Sequence, residues 1–241
     1  ADAKGVKAVA ALGATELKSN RGMQELGELG TAGVVLGQEF SGGLPTRNYQ
    51  SGTFEFAEEI SGERLAETIL VDRDTCYACV VRCKREVETD DEYQVKRELG
   101  GPEYETIATF GSYCEVRDLA AVSKANALCN DYGLDTIGAG ATIAWAMECY
   151  EDGILTDADT DGLALRWGDA KAMLAALEAM AFRRGRLGNL LAEGSARAAA
   201  QLGPDAQARL ITVKGAEAPA HMPQVKRSMG LIYAVNPFGA D

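Results

Sequence analysis

The chain is predicted to be mainly α, a multi-helical domain with a few short strands, and three observations carry that expectation. Apolar residues recur at helical spacing through the middle and second half, alanine is abundant there, and a glycine closes the clearest segment at Tyr132-Gly133. In chain order, residues 6–12 (Val-Lys-Ala-Val-Ala-Ala-Leu) read as a strand. From Glu16 to about Leu36 a Leu/Met pattern is interrupted by Gly22, Gly27, Gly30 and Gly33, which predicts short helices broken at glycines. Residues 42–52, with Pro45 and Asn48, read as loop, and 62–71 as a helix leading into a cysteine-rich run. Residues 86–102 alternate as a short hairpin would, closed by Gly100 and Gly101. Leu119, Val122, Asn126 and Cys129 then share one helical face, and the glycine after Tyr132 ends that helix. Further helices are predicted over 137–150, over 168–184 through Met173, Leu177, Met180 and Ala181, and over the alanine-rich 187–200. Residues 209–213 read as a strand. The remainder holds three of the six prolines, which places a boundary close to Pro204.

A chain of 241 residues can bury a substantial core. Thirty-six acidic against 24 basic residues give a net charge of −12, which argues against a partner held by phosphate contacts, so no nucleic acid is expected. The longest apolar runs are far too short to span a bilayer, and the chain is expected to be soluble and cytoplasmic, with no membrane contact. It starts without methionine and stops in the loop-like 235–241, so both ends are expected to be cuts in a longer polypeptide.

Six cysteines are too sparse for a disulfide scaffold, yet Cys76, Cys79 and Cys83 crowd into one CxxCxxxC run. That spacing puts three soft thiolates on one helical turn or around one short loop, where they can share an inorganic centre. Iron–sulfur clusters and zinc both usually take four protein ligands. Three plus one is frequent for a cubane cluster, and zinc, which tends to pair its ligands, is the rival. Cys114, Cys129 and Cys149 are candidates for the fourth ligand, but their apolar or helical surroundings favour a core role. Lys84 and Arg85 flank the run, either to offset the charge of a cluster or as an ordinary solvated pair. Two further segments carry polar chemistry. In Gly101-Pro-Glu-Tyr-Glu-Thr106 a carboxylate beside a phenol can do acid–base work if burial raises its pKa; the alternative is a helix start with acidic first-turn residues. The turn Asn130-Asp-Tyr-Gly-Leu-Asp-Thr136 offers amide, carboxylate and backbone donors to a ligand, or simply caps the next helix with Asp135 or Thr136.

Together and in this order, Leu44-Pro-Thr-Arg-Asn-Tyr49, the cysteine run, Gly101 to Thr106, Phe110-Gly-Ser-Tyr-Cys114, the stretch from Lys124 to Ile137 and Asn236-Pro-Phe-Gly-Ala-Asp241 resemble the tungsten-containing aldehyde ferredoxin oxidoreductase family. The resemblance implies the multi-helical fold of that family's C-terminal domains. It implies oxidation of aldehydes to carboxylic acids at a tungsten (or molybdenum) bis-pterin centre, with electrons passing through a 4Fe-4S cluster to ferredoxin. Cys76, Cys79 and Cys83 are then three cluster ligands; the family's fourth lies in a DxxGLC motif, and none follows Asp135 here. Tyr104 and Glu105 take the catalytic positions near tungsten, and Asn130, Asp135 and Thr136 the pterin contacts. Asn130 stands where the family often has aspartate, so any contact it makes is uncharged.

The same resemblance makes residues 1–13 the tail of a preceding pterin-binding sheet domain, 14–204 the helical central domain and 205–241 the start of the last domain. A catalytic histidine is expected just beyond Asp241, and the chain's own His221 is assigned a surface or interdomain role. Lys124 occupies the position of a glutamate that in some members binds a metal at a dimer interface, so no such metal is expected, while a homo-oligomer stays compatible. The isolated fragment is expected to be inactive, and either holds a cluster on three ligands or carries no cofactor. The alternatives are a low-potential acyl or aromatic reductase of the same family and a non-catalytic zinc-binding or interaction module.

Overall fold

Residues 2–77 and 79–240 are described in this computed structural model; Ala1, Ala78 and Asp241, and with them the two chain ends, lie outside the described residues. The first segment departs from the sequence reading. Residues 6–12 lie within helix α1 (Ala3–Ser19) and form no strand. Alanine favours helix over strand, and Asp2 caps the helix by accepting from the Lys4 N–H at 3.0 Å. No residue of α1 is buried.

The glycine-interrupted stretch forms short helices as predicted: α2 (Arg21–Leu29), a 3-10 turn (Thr31–Val34) and α3 (Val35–Ser41). Gly27 does not break α2 but serves a close approach, since a Cβ there would stand 2.7 Å from the Val81 carbonyl. After the predicted loop and a second 3-10 turn (Ala57–Ile60), α4 (Gly62–Thr68) stops short of the predicted end, because the branched residues Ile69 and Val71 pass into strand β1 (Leu70–Asp74). β1 pairs antiparallel with β2 (Lys84–Val87). The predicted 86–102 hairpin is therefore replaced by a ribbon whose other strand lies upstream of the cysteines, followed by a 3-10 turn (Arg97–Leu99).

The helical half follows the sequence closely. α5 (Tyr104–Phe110), a 3-10 turn (Ser112–Cys114), α6 (Leu119–Tyr132) and α7 (Thr136–Glu151) pack together as the core. Asp118 and Asp135 cap α6 and α7, and Gly133 ends α6 at φ 69° in the left-handed region. α5 and α7 touch through Gly140, where a Cβ would stand 2.6 Å from the Thr109 side chain. Trp145 is 1% exposed, and its Nε1–H donates to the Ala206 carbonyl at 3.0 Å. Around this core run α8 (Ala170–Ala181), α9 (Gly185–Leu191), α10 (Ser195–Leu202) and α11 (Pro204–Gln207). The predicted helix over 187–200 is thus two helices, parted at Gly194 with φ 79°. The strand expected at 209–213 shrinks to β3 (Thr212–Val213), paired with β4 (Ala216–Glu217), and α12 (Arg227–Val235) follows. No helix among the described residues is long and apolar enough to cross a membrane.

Candidate functional site

The two ladder pairs Arg73↔Arg85 and Asp74↔Lys84 close the ribbon below the cysteines, so Cys76, Cys79 and Cys83 share one loop rather than a helical turn. Within it the Cys79 N–H donates to the Cys76 carbonyl at 3.0 Å, and the Thr75 hydroxyl donates to the Cys79 carbonyl at 2.6 Å. Cys76 and Cys79 are exposed and Cys83 is half-buried. Burial, then the charge of Glu103, pushes the Cys83 thiol up, with smaller upward contributions from Cys79 and Cys76, so the three sulfurs lie within one another's electrostatic reach. Among the described residues no three Cys, His, Asp or Glu side chains converge on a single metal ion. The donor set fits a cluster in which each iron takes its own thiolate.

Cys114, Cys129 and Cys149 are buried in the helical core. Burial pushes Cys129 and Cys149 up to about 12, which keeps them as protonated core thiols at neutral pH.

Arginine chemistry holds the ribbon in place. Arg85 is 3% exposed and reaches under the loop to the C-terminal turn of α2, donating to the carbonyls of Gly27 at 2.9 Å and Glu28, and to the Arg82 carbonyl at 2.6 Å. Arg73 adds a donor to Gly27 at 3.0 Å, and Arg82 donates back to the Arg73 carbonyl. Arg73 and Arg85 thus meet the negative end of the α2 dipole and its last-turn carbonyls. From the sequence Arg85 either offsets cluster charge or is one of a solvated pair; its burial rules out the solvated reading for Arg85, and its hydrogen bonds give it a structural task.

Beside the ribbon lies a cavity of about 470 Å³ lined by Arg85, Glu105, Asn126, Asn130, Asp135 and Thr136. The structure therefore gathers Glu105 with all three residues singled out on the 130–136 turn. Their local duties are also visible. Asp135 accepts from the Gly138 N–H at 2.6 Å as N-cap, Asn130 donates to the Leu99 carbonyl at 2.7 Å, and the Thr136 hydroxyl pairs with that of Thr106 at 3.0 Å. Asn126 was legible only as one residue of a helix face. It is 5% exposed, and its Nδ2 is buried without a partner while the residue lines the cavity. An orphaned amide donor at a cavity wall suits a ligand rich in hydrogen-bond acceptors, as a pterin is. A larger groove of about 800 Å³, lined by Glu58, Glu63, Arg64 and Arg117 among others, contains none of the predicted site residues.

Tyr104 does not line the cavity. It begins α5 with its ring buried and its hydroxyl donating to the Ala220 carbonyl at 2.7 Å. Glu105 accepts from the Ala220 N–H at 2.7 Å through Oε2, and its Oε1 stands 3.2 Å from His221 Nε2. Burial raises Glu105, the Ala220 N–H pulls it down and Asp135 adds to the rise. His221 thus packs against Glu105 rather than serving only the surface or interdomain role read from its proline-flanked loop. Burial and then Lys226 hold its pKa below the ordinary value. No local sequence signal announces this pairing across more than a hundred residues.

Residues 8–241 match the profile of the family described as "Aldehyde ferredoxin oxidoreductase, domains 2 & 3". Over 213 residues the chain is 40% identical to a tungsten-containing aldehyde ferredoxin oxidoreductase of Thermococcus kodakarensis and 38% identical to that of Pyrococcus furiosus, covering 88% of this chain and 34% of each relative. An aliphatic sulfonate oxidoreductase, WOR-like subunit, of Pyrococcus furiosus is 30% identical over 220 residues. Among solved structures, the active-site complex BamBC of benzoyl coenzyme A reductase with 1,5-dienoyl-CoA shares the fold, with a TM-score of 0.65 at 23% identity over 89% of this chain and 31% of that one. The chain spans about a third of the length of the curated relatives it matches. With the profile running over nearly all of its residues, the chain belongs to the aldehyde ferredoxin oxidoreductase family, as a stretch of that family's domains 2 and 3.

Proposed function

We propose that this chain forms the central domain, residues 14–204, and the start of the last domain, residues 205–241, of an enzyme that oxidises aldehydes to carboxylic acids and passes the electrons to ferredoxin. The supporting observation is the cavity in which Glu105 meets Asn126, Asn130, Asp135 and Thr136 beside the cysteine ribbon. Cys76, Cys79 and Cys83 would hold three irons of a 4Fe-4S cluster, with the fourth ligand supplied by a part of the polypeptide outside residues 1–241. Asn126, Asn130, Asp135 and Thr136 would hold a pterin edge by hydrogen bonds. A tungsten bis-pterin, when bound, would supply the two-electron oxidation, and a cluster held by the three cysteines would supply a one-electron carrier.

The chain's own contribution is proton management and orientation. Conversion of an aldehyde and water to a carboxylic acid releases two protons along with two electrons, and Glu105 accepts one of the protons on its carboxylate. Burial raises Glu105 from the ordinary carboxylate range toward the working pH, which improves its match to that task. The Ala220 N–H fixes one carboxylate oxygen and so orients the group. Tyr104, the second residue assigned to catalysis, acts from behind through its bond to the Ala220 carbonyl.

The test uses the full-length enzyme prepared without oxygen. Glu105→Gln, which keeps volume but removes the base, is expected to lower kcat by about 10²–10⁴ while the cluster's visible spectrum stays intact. Unchanged turnover would remove Glu105 from the chemistry, and loss of the cluster would make its role structural.

A further inference from the structure

The segment 218–221 is suspended from four phenols. The Tyr113 hydroxyl donates to the Ala218 carbonyl at 3.1 Å, Tyr49 to Pro219, Tyr104 to Ala220 at 2.7 Å and Tyr233 to His221 at 3.0 Å. Four successive carbonyls thus each receive a different tyrosine, from a 3-10 turn, the loop before α4, the first turn of α5 and α12. Tyr49 is delivered by a tight turn in which Arg47, Asn48 and Tyr49 all have positive φ, at 48°, 46° and 67°. Backbone strain of this kind persists only where the surroundings enforce it. Tyr49 and Tyr113 also meet edge to face at 5.3 Å, and the Tyr104 ring lies 5.6 Å from the imidazole of His221.

What the cradle presents is a pair of donors to one carboxylate. The Ala220 N–H meets Glu105 Oε2 at 2.7 Å, and His221 Nε2 meets Oε1 at 3.2 Å. The other ring nitrogen, Nδ1, is buried without a partner. A proton on Nδ1 would be a buried donor with nothing to meet, whereas a proton on Nε2 has the carboxylate.

We propose that His221 is a positioning residue for Glu105, its neutral ring donating Nε2–H to Oε1 while the Ala220 N–H holds Oε2, and that the four tyrosines exist to fix this two-oxygen clamp. The clamp rests on the reading of Glu105 as the proton acceptor. It gives that acceptor one orientation, and it stabilises the carboxylate against the burial that opposes its charge.

The groups facing the clamp are Asp135 at the start of α7, Lys226 before α12 and the four phenols. All four tyrosines are held above their ordinary range, chiefly by burial, with Tyr233 pushed up to about 12. They stay protonated and able to donate across the working range, so Glu105 and His221 carry the titration.

The experiment compares pH profiles of kcat/KM for the full-length holoenzyme. His221→Phe keeps the ring packed on Tyr104 but removes the donor, and is expected to move the acid limb upward by about one pH unit, because a hydrogen bond to the charged form is lost. His221→Gln restores an N–H at similar reach and is expected to return the limb toward its original position. Tyr113→Phe, which cuts one tether without touching Glu105, is expected to give a smaller upward shift with the cluster spectrum unchanged. Should His221→Phe fail to assemble, Tyr233→Phe carries the same test through the His221 carbonyl. A His221→Phe profile that superimposes on the parent, in an enzyme that Glu105→Gln does inactivate, overturns the clamp and leaves the role of Glu105 standing. An active Glu105→Gln enzyme overturns both.

Discussion

Arg85→Leu isolates what the buried guanidinium does for the cysteine ribbon. Arg85 donates to three carbonyls, but Gly27 keeps a second donor in Arg73, so the substitution orphans the carbonyls of Glu28 and Arg82. A hydrogen bond from a charged donor contributes about 1.5–3 kcal/mol, giving roughly 3–6 kcal/mol for the two. Relief from burying a cation that has no carboxylate in contact offsets a part of this. A net local loss of about 2–3 kcal/mol remains, and at 1.4 kcal/mol per tenfold it should speed opening of the ribbon by about 30–150-fold. Hydrogen–deuterium exchange of the full-length protein, read by mass spectrometry, reports it. Peptides covering the end of α2 and the β1–β2 ribbon should exchange faster, while those of α8, remote in sequence from the ribbon, should not. Equal acceleration in α8 would mean global destabilisation, and an unchanged ribbon would mean that Arg85 does not hold it; either result refutes the reasoning.

His221 is the only histidine in the 241 residues, so its ring resonances can be followed by NMR without assignment. Its midpoint is expected below the ordinary value of about 6.5. The depressed pKa makes its contribution to stability present above about pH 6.5 and lost as the pH falls through the folded value. Glu105, whose pKa is raised, contributes in the opposite sense: its stability is present below its unfolded pKa and lost as the pH rises through the folded one. A His221 midpoint at or above 6.5 would contradict the burial argument. In the core, Trp145→Ala is expected to cost about 3–5 kcal/mol in denaturant unfolding, through the cavity it leaves and the lost bond to Ala206, and a cost below about 1 kcal/mol would show that α7 is not the centre of packing.

Much of the helical half was legible because its signals are local. The face formed by Leu119, Val122, Asn126 and Cys129 and the stop at Gly133 locate α6 with nothing but period and backbone chemistry. The cysteine run was legible as one local segment for the same reason, and it forms the loop between β1 and β2. Residues 6–12 misled, since their valines and alanines suit a strand as well as a helix until the cap at Asp2 decides. The upstream partner of β2 and the meeting of Glu105 with His221 were hidden, because contacts between distant residues leave no period to read. Asn126 was visible as one residue of a helix face, but its burial with an unpaired Nδ2 was not, since burial leaves no local pattern to read.

The ladder below the cysteine loop has a consequence for assembly. Pairing Asp74 with Lys84, with Arg82 donating back to the Arg73 carbonyl, brings the two ends of the cysteine segment together, so the entropy of closing that segment is already spent when the polypeptide folds. An incoming inorganic centre then has to order only side chains and a few residues at the loop crest. With Cys76 and Cys79 facing outward, loading from a donor protein is compatible with a folded recipient. If the proposed cluster binds this loop, its loading can follow folding of the scaffold.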